Sequence, residues 1–153
     1  MKTAFLASTA FALLTVSSTF SRPVIILPYE QMKLDADLVV VATPTAVRNT
    51  GAETNFPRIQ RDSEPVPAIS MEADFEIMTV LKGPENLAKF TLSYLRHPDP
   101  DEVAVNGPML VWFQPSKKER YLLFLKRSED GLYVPVNGQT DPVFSIRSLG
   151  TSP

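Results

Sequence analysis

His97 is the chain's single histidine, and it opens the run His97-Pro98-Asp99-Pro100-Asp101-Glu102. This is the one stretch that gathers hard and borderline metal ligands. Carboxylates on a loop suit Ca2+ with His97 a bystander, or His97 joins them on Zn2+. The same histidine would suffice as the base of a Ser/His/Asp arrangement, with Ser93 on the strand that enters the loop. One reading is therefore a hydrolase or metal-dependent enzyme centred on His97 and the acids after it. Several features weigh against that reading. Pro98 and Pro100 stiffen the run, the glycine turn of an EF-hand is missing, and no Gly-x-Ser-x-Gly elbow is present. Solvated loop acids require none of this chemistry. The expectation is no metal, no cofactor and no catalytic residue.

Two further constellations have plainer readings beside their chemical ones. Phe90, Tyr94, Trp112, Phe113, Tyr121 and Phe124, with Lys117, Lys118, Arg120, Lys126 and Arg127, could stack and neutralise a single-stranded nucleic acid. Aromatics alternating along strands are more simply core, and Lys117 to Arg120 is more simply a hydrated turn. With 15 Lys+Arg against 17 Asp+Glu and a net charge of −2, gripping phosphate backbones is not the expected task, and no nucleic-acid partner is expected. Glu72, Asp74 and Glu76 share one strand face, where they either hold a cation or a basic partner or simply face water. With six glycines and neither a Gly-x-Gly-x-x-Gly nor a P-loop, nucleotide phosphate binding is not expected. The absence of cysteine removes disulfides, thiolate metal sites and thiol nucleophiles.

The elements that would position these groups are mostly strands. Pro28 to Asp35 suits a short helix with a proline in its first turn. Asp37-Leu38-Val39-Val40-Val41-Ala42-Thr43 is apolar without alternation, which marks a strand buried on both faces. Pro44 cannot donate to a ladder, so the strand should bulge or change neighbours there. Residues 48–69 mix charges with Pro57, Pro65 and Pro67 and show no period, which reads as a long loop. Ser70 to Leu81 alternates, with Ala73, Phe75, Ile77, Thr79 and Leu81 on one face. A turn at 82–86 leads to Ala88–Arg96 and so predicts a hairpin. Met109–Phe113, Arg120–Lys126 and Leu132–Val136 read as further strands, the last two joined at Glu129-Asp130-Gly131. Asp141-Pro142 followed by Val143, Phe144, Ile146 and Leu149 suggests a short C-terminal helix stopped at Gly150. Val39, Val41, Phe75, Ile77, Phe90, Leu92, Leu123 and Leu125 are the expected core.

The first residues read as an address. Met1-Lys2, an apolar run from Thr3 to Val16 and the small residues Ser17, Ser18 and Ser21 form the three regions of a secretory signal peptide. The run is shorter than the roughly 20 residues a spanning helix needs, so cleavage after Ser18 or Ser21 is expected. Residues 1–21 are then a leader, 22–153 a single domain without a transmembrane segment, and the protein is secreted or periplasmic. All 14 prolines fall in the mature part, which favours strands and turns over long helices.

Three segments carry a family resemblance: Ala36-Asp37-Leu38-Val39-Val40-Val41-Ala42, Phe75 to Lys82-Gly83, and Arg120-Tyr121-Leu122-Leu123-Phe124-Leu125-Lys126. Their order and spacing resemble the netrin-like OB-fold domains typified by tissue inhibitors of metalloproteinases, and the cysteine-free exported bacterial proteins that look like them. The resemblance spans about residues 34–138. Five or six short strands with a terminal helix at either end fit a mainly β fold, either a small barrel (OB-type or up-and-down) or a sandwich. The resemblance implies the first: a small, partly open five-stranded OB-like barrel with short N- and C-terminal helices. The inhibitors act through an N-terminal cysteine that binds the protease zinc, and no residue here matches it, so that mechanism is not implied.

The expected function is an exported, non-enzymatic domain that binds a protein or peptide partner. The binding surface of an OB barrel includes the loop after its first strand. Here that is the 48–69 loop, which is either an inert insertion or the binding surface, and in the second case Phe56, Arg58 and Ile59 are the expected partner-binding residues.

Overall fold

The computed structural model describes residues 27–61, 63–99, 110–137 and 145–151, with backbone alone for 58–61. The expected signal peptide and the acids Asp101 and Glu102 lie outside these residues. The fold is mainly β. One helix, α1 (Tyr29–Asp35), precedes β1 (Leu38–Arg61), β2 (Glu64–Lys82), β3 (Lys89–Arg96), a single 3-10 turn (Pro115–Lys117), β4 (Glu119–Arg127), β5 (Tyr133–Pro135) and β6 (Ile146–Thr151). No helix among the described residues is long and apolar enough to cross a membrane.

Five strands close into a ring in the order β1-β2-β3-β5-β4 and back to β1. Consecutive strands β1, β2 and β3 are antiparallel neighbours. β3 meets β5 in parallel through Leu92 and Tyr133, and β5 pairs antiparallel with β4. The ring closes where Leu38 to Ala42 lie antiparallel to Leu125 to Tyr121. β6 is a sixth strand laid along β4 outside the ring order.

The unbroken apolar run of β1 is buried on both faces, as its composition requires. Leu38, Val40 and Ala42 point into the ring with Phe75, Leu92, Leu123 and Leu125. Val39 points the other way, into a smaller cluster with Met32 and Ala36 of the α1 segment and Phe124. Val41 and Ile77, both expected in the core, are half-buried. Pro44 marks the place where β1 leaves β4: that pairing ends at Ala42, and the register with β2 shifts between Pro44 and Ala46. Phe113 joins this interior, its ring meeting Phe75, Tyr94 and Tyr121 edge-on at 5.1, 5.0 and 5.1 Å.

Three expectations are corrected. The stretch 48–69 is a hairpin, not a loop, and continues β1 and β2 in mutual pairing out to Arg61↔Glu64. Pro57, Pro65 and Pro67 all stand beyond the pairings with β4 and β3, which among the described residues end at Ala42 and Ile69, so none of them interrupts the ladders of the ring. Of the expected strand Met109–Phe113, Met109 lies outside the described residues, Leu110 makes a bridge, and residues 111–114 are irregular, which frees Phe113 to turn inward. Ile146–Thr151 is strand β6, not the end of a helix: the free edge of β4 offers Ile146, Arg147 and Ser148 a ladder, and Ile146 is buried by it. Residues 141–144 of the expected helix lie outside the described set.

The three segments singled out in the sequence converge on one corner. The Asp37 amide donates to Leu125 O at 2.8 Å, and Asp37 Oδ2 accepts the Arg127 amide at 2.9 Å. Lys82 Nζ donates to the carbonyls of Lys33 and Leu34, at 2.7 and 3.0 Å, and to that of Ala36. Those carbonyls belong to the last turn of α1 and its end, where no further helical N–H is available to meet them. Gly83 has φ +117°, and a Cβ there would lie 2.9 Å from Leu38 Cδ1 and 3.2 Å from Asp37 O. The turn past the start of β1 therefore favours glycine at this position.

Candidate functional site

The outer halves of β1 and β2 form an arm. Past Asn49↔Met71 the two strands stay paired through Glu53↔Ile69, Thr54↔Ala68 and Asn55↔Pro67, then Gln60↔Pro65 and Arg61↔Glu64. β4 has left β1 at Ala42, and β3 ends opposite Ile69 at Arg96. A bulge near its base re-aims the arm. Gly51 takes φ +76°, its amide donates to Asn49 Oδ1 at 2.7 Å, and Thr50 Oγ1 donates across to Ser70 O at 2.9 Å.

The arm carries its own apolar cluster, separate from the ring interior. Phe56, Val66 and Ala68 are buried there, with Leu95 and Leu110 packed against them. The His97 ring lies 4.9 Å from the Phe56 ring at 55°. Beside this cluster opens a cleft of about 420 Å3, lined by Glu53, Thr54, Asn55, Pro67, Ala68, Ile69 and Pro98. Its walls pair apolar and proline surface with exposed carboxylate, hydroxyl and amide groups. Close in sequence to Leu110, Trp112 is 46% exposed, and the Arg96 guanidinium sits 4.9 Å from its ring centroid. Trp and Arg are the residue types that most often anchor protein contacts.

The base of the arm is set by charge. Arg48 Nε donates to Glu72 Oε2 at 2.8 Å and Arg48 Nη1 to Asp74 Oδ2 at 2.6 Å, while Thr91 donates to Asp74 Oδ1 at 2.7 Å. The cation for the acidic strand face therefore comes from within the chain, on the neighbouring strand. Arg48 and the Thr91 hydroxyl hold the Asp74 carboxyl below the usual carboxylate range, and both acids raise the Arg48 guanidinium. Arg48 is half exposed, so this pair positions strands more than it stabilises the fold.

Of the expected partner-binding residues, Phe56 is the buried floor of the arm cluster, and Arg58 and Ile59 lie on β1 toward its tip. The cleft rim at Glu53, Thr54 and Asn55, and the Arg96–Trp112 pair, were not legible from sequence. Both depend on a hairpin whose prolines and bulges hide its period. For the enzymatic reading, His97 is packed on Phe56, Ser93 stands on β3 opposite Glu72, and no group of three metal-ligating side chains exists among the described residues. Of the six aromatics considered for stacking, five are buried and Trp112 stays exposed. Compared with known proteins, the chain matches no family model and no curated protein.

Proposed function

We propose that the protein is an exported, non-enzymatic OB-type domain that binds a protein or peptide partner along its β1–β2 arm. The observation that carries this reading is the arm itself: paired strands past the ring, with a separate buried cluster and an open cleft of about 420 Å3. The pairings that close the ring end at Ala42 on β1 and at Ile69 on β2, so the arm extends beyond them.

The OB assignment rests on the ring order β1-β2-β3-β5-β4-β1 with β3 parallel to β5, the connectivity of a five-stranded Greek-key barrel, closed at one place by a single bridge. The netrin-like resemblance agrees with it. Export rests on Lys2, the apolar run to Val16 and the small residues that follow.

Filling the cleft tests the reading. Asn55 is exposed on its rim, and Asn55→Trp should abolish retention of a partner from the exported fraction while the melting temperature stays put. A second variant separates binding from catalysis: His97→Phe keeps a ring against Phe56 and removes any base or ligand. It should leave partner retention intact; loss of a hydrolytic activity in that variant would move the function to His97.

A further inference from the structure

We propose that Met78 is a surface site for oxidation by peroxide, set apart by the fold from the buried Met32 and Met71. Met78 lies in β2 between the pairs Ala42↔Ile77 and Val41↔Thr79, where the register with β1 shifts, so it has no direct partner across the ladder. Met78 is 54% exposed, whereas Met32 and Met71 are 2% and 4% exposed. Thr43 Oγ1 donates to its sulfur at 3.7 Å.

Thioether oxidation requires only that a peroxide reach a sulfur lone pair. The lone pair attacks one peroxide oxygen, the S–O bond forms as the O–O bond breaks, and hydrogen peroxide leaves as water. Sulfur is oxidised by two electrons and the peroxide is reduced by two, so no further reactant is needed. The product oxygen is a stronger acceptor than the sulfur, and the Thr43 hydroxyl already stands beside it. Sulfoxide at Met78 therefore keeps its polar neighbour and disturbs no core contact. The same change at Met71 would put a polar group inside the ring interior, and at Met32 among the residues under α1. Such a site takes up oxidant without unfolding the domain and is open to a sulfoxide reductase.

The test is peptide mass mapping of the folded protein over a time course in hydrogen peroxide, repeated in concentrated urea. In the folded protein the Met78 peptide should gain one oxygen at least tenfold faster than the Met32 and Met71 peptides, the factor set by an opening cost of about 1.4 kcal/mol. The protein oxidised at Met78 alone should melt where the reduced protein does. In urea the three rates should converge. Comparable rates in the folded protein, a preference for Met78 that persists in urea, or a lowered melting temperature after the first oxygen would each overturn the proposal.

Discussion

Lys82 and Gly83 show how much one dipeptide can fasten. Lys82 meets three carbonyls at the end of α1, and Gly83 passes so close to Asp37 and Leu38 that a side chain there would crowd them. Gly83→Ala should cost about 1–3 kcal/mol, since it adds a strained φ to close contacts with Leu38 Cδ1 at 2.9 Å and Asp37 O at 3.2 Å, and Lys82→Met about 1 kcal/mol; thermal melting of each variant checks both. The ionisable residues predict a stability profile with two limits. Asp74 and Glu119 are held low, Asp74 by Arg48 and Thr91, Glu119 by Ser148 and Tyr121. Their contribution is complete above the unfolded carboxylate range near 4 and is lost as pH falls through the lower folded values. Burial pushes Tyr94 up to about 12 and raises Tyr121 as well. The unfolded chain ionises these phenols first, so their contribution is complete below about pH 10 and fades as pH rises toward the folded values. Denaturant melts across the pH range should show a plateau between those limits, and phenolate absorbance should report Tyr94 and Tyr121 ionising together with unfolding.

At the scale of elements, the ring and the arm differ in how openly the sequence declares them. Leu38–Ala42 is legible because a strand covered on both sides must be apolar throughout, and 73–77 because a strand covered on one side must alternate. Phe113 is legible as apolar but not as part of the ring interior, since its role depends on Phe75, Tyr94 and Tyr121 converging from three strands. Phe113→Ala should cost about 3–5 kcal/mol, as large as truncating a strand residue, and chemical denaturation measures it. The arm is hidden for physical reasons. Register shifts at Asn49/Glu53 and Asn55/Gln60 break the period of two, and its prolines look like loop punctuation. Its cluster joins Phe56 and Val66 to Leu95 and Leu110, partners far away along the chain. β6 is hidden likewise, because what makes Ile146 a strand residue is the vacant edge of β4.

For the whole molecule, a closed ring supplies the core, a corner of three segments locks its helix, and an arm with separate packing supplies the surface proposed for binding. The division of labour predicts that ring and arm are separable. Asn49 and Met71 are paired at the arm's base, so replacing residues 50–70 by Asn-Gly closes a two-residue hairpin there. The most direct measurement is made on this shortened protein beside the full chain: thermal melting, and retention of partner from the exported fraction. The ring should still melt cooperatively, lowered by the few degrees that uncovering Leu95 and Leu110 brings, and partner retention should disappear. A shortened protein that folds and keeps its partner, or one that cannot fold, would contradict a binding arm carried on an independent ring.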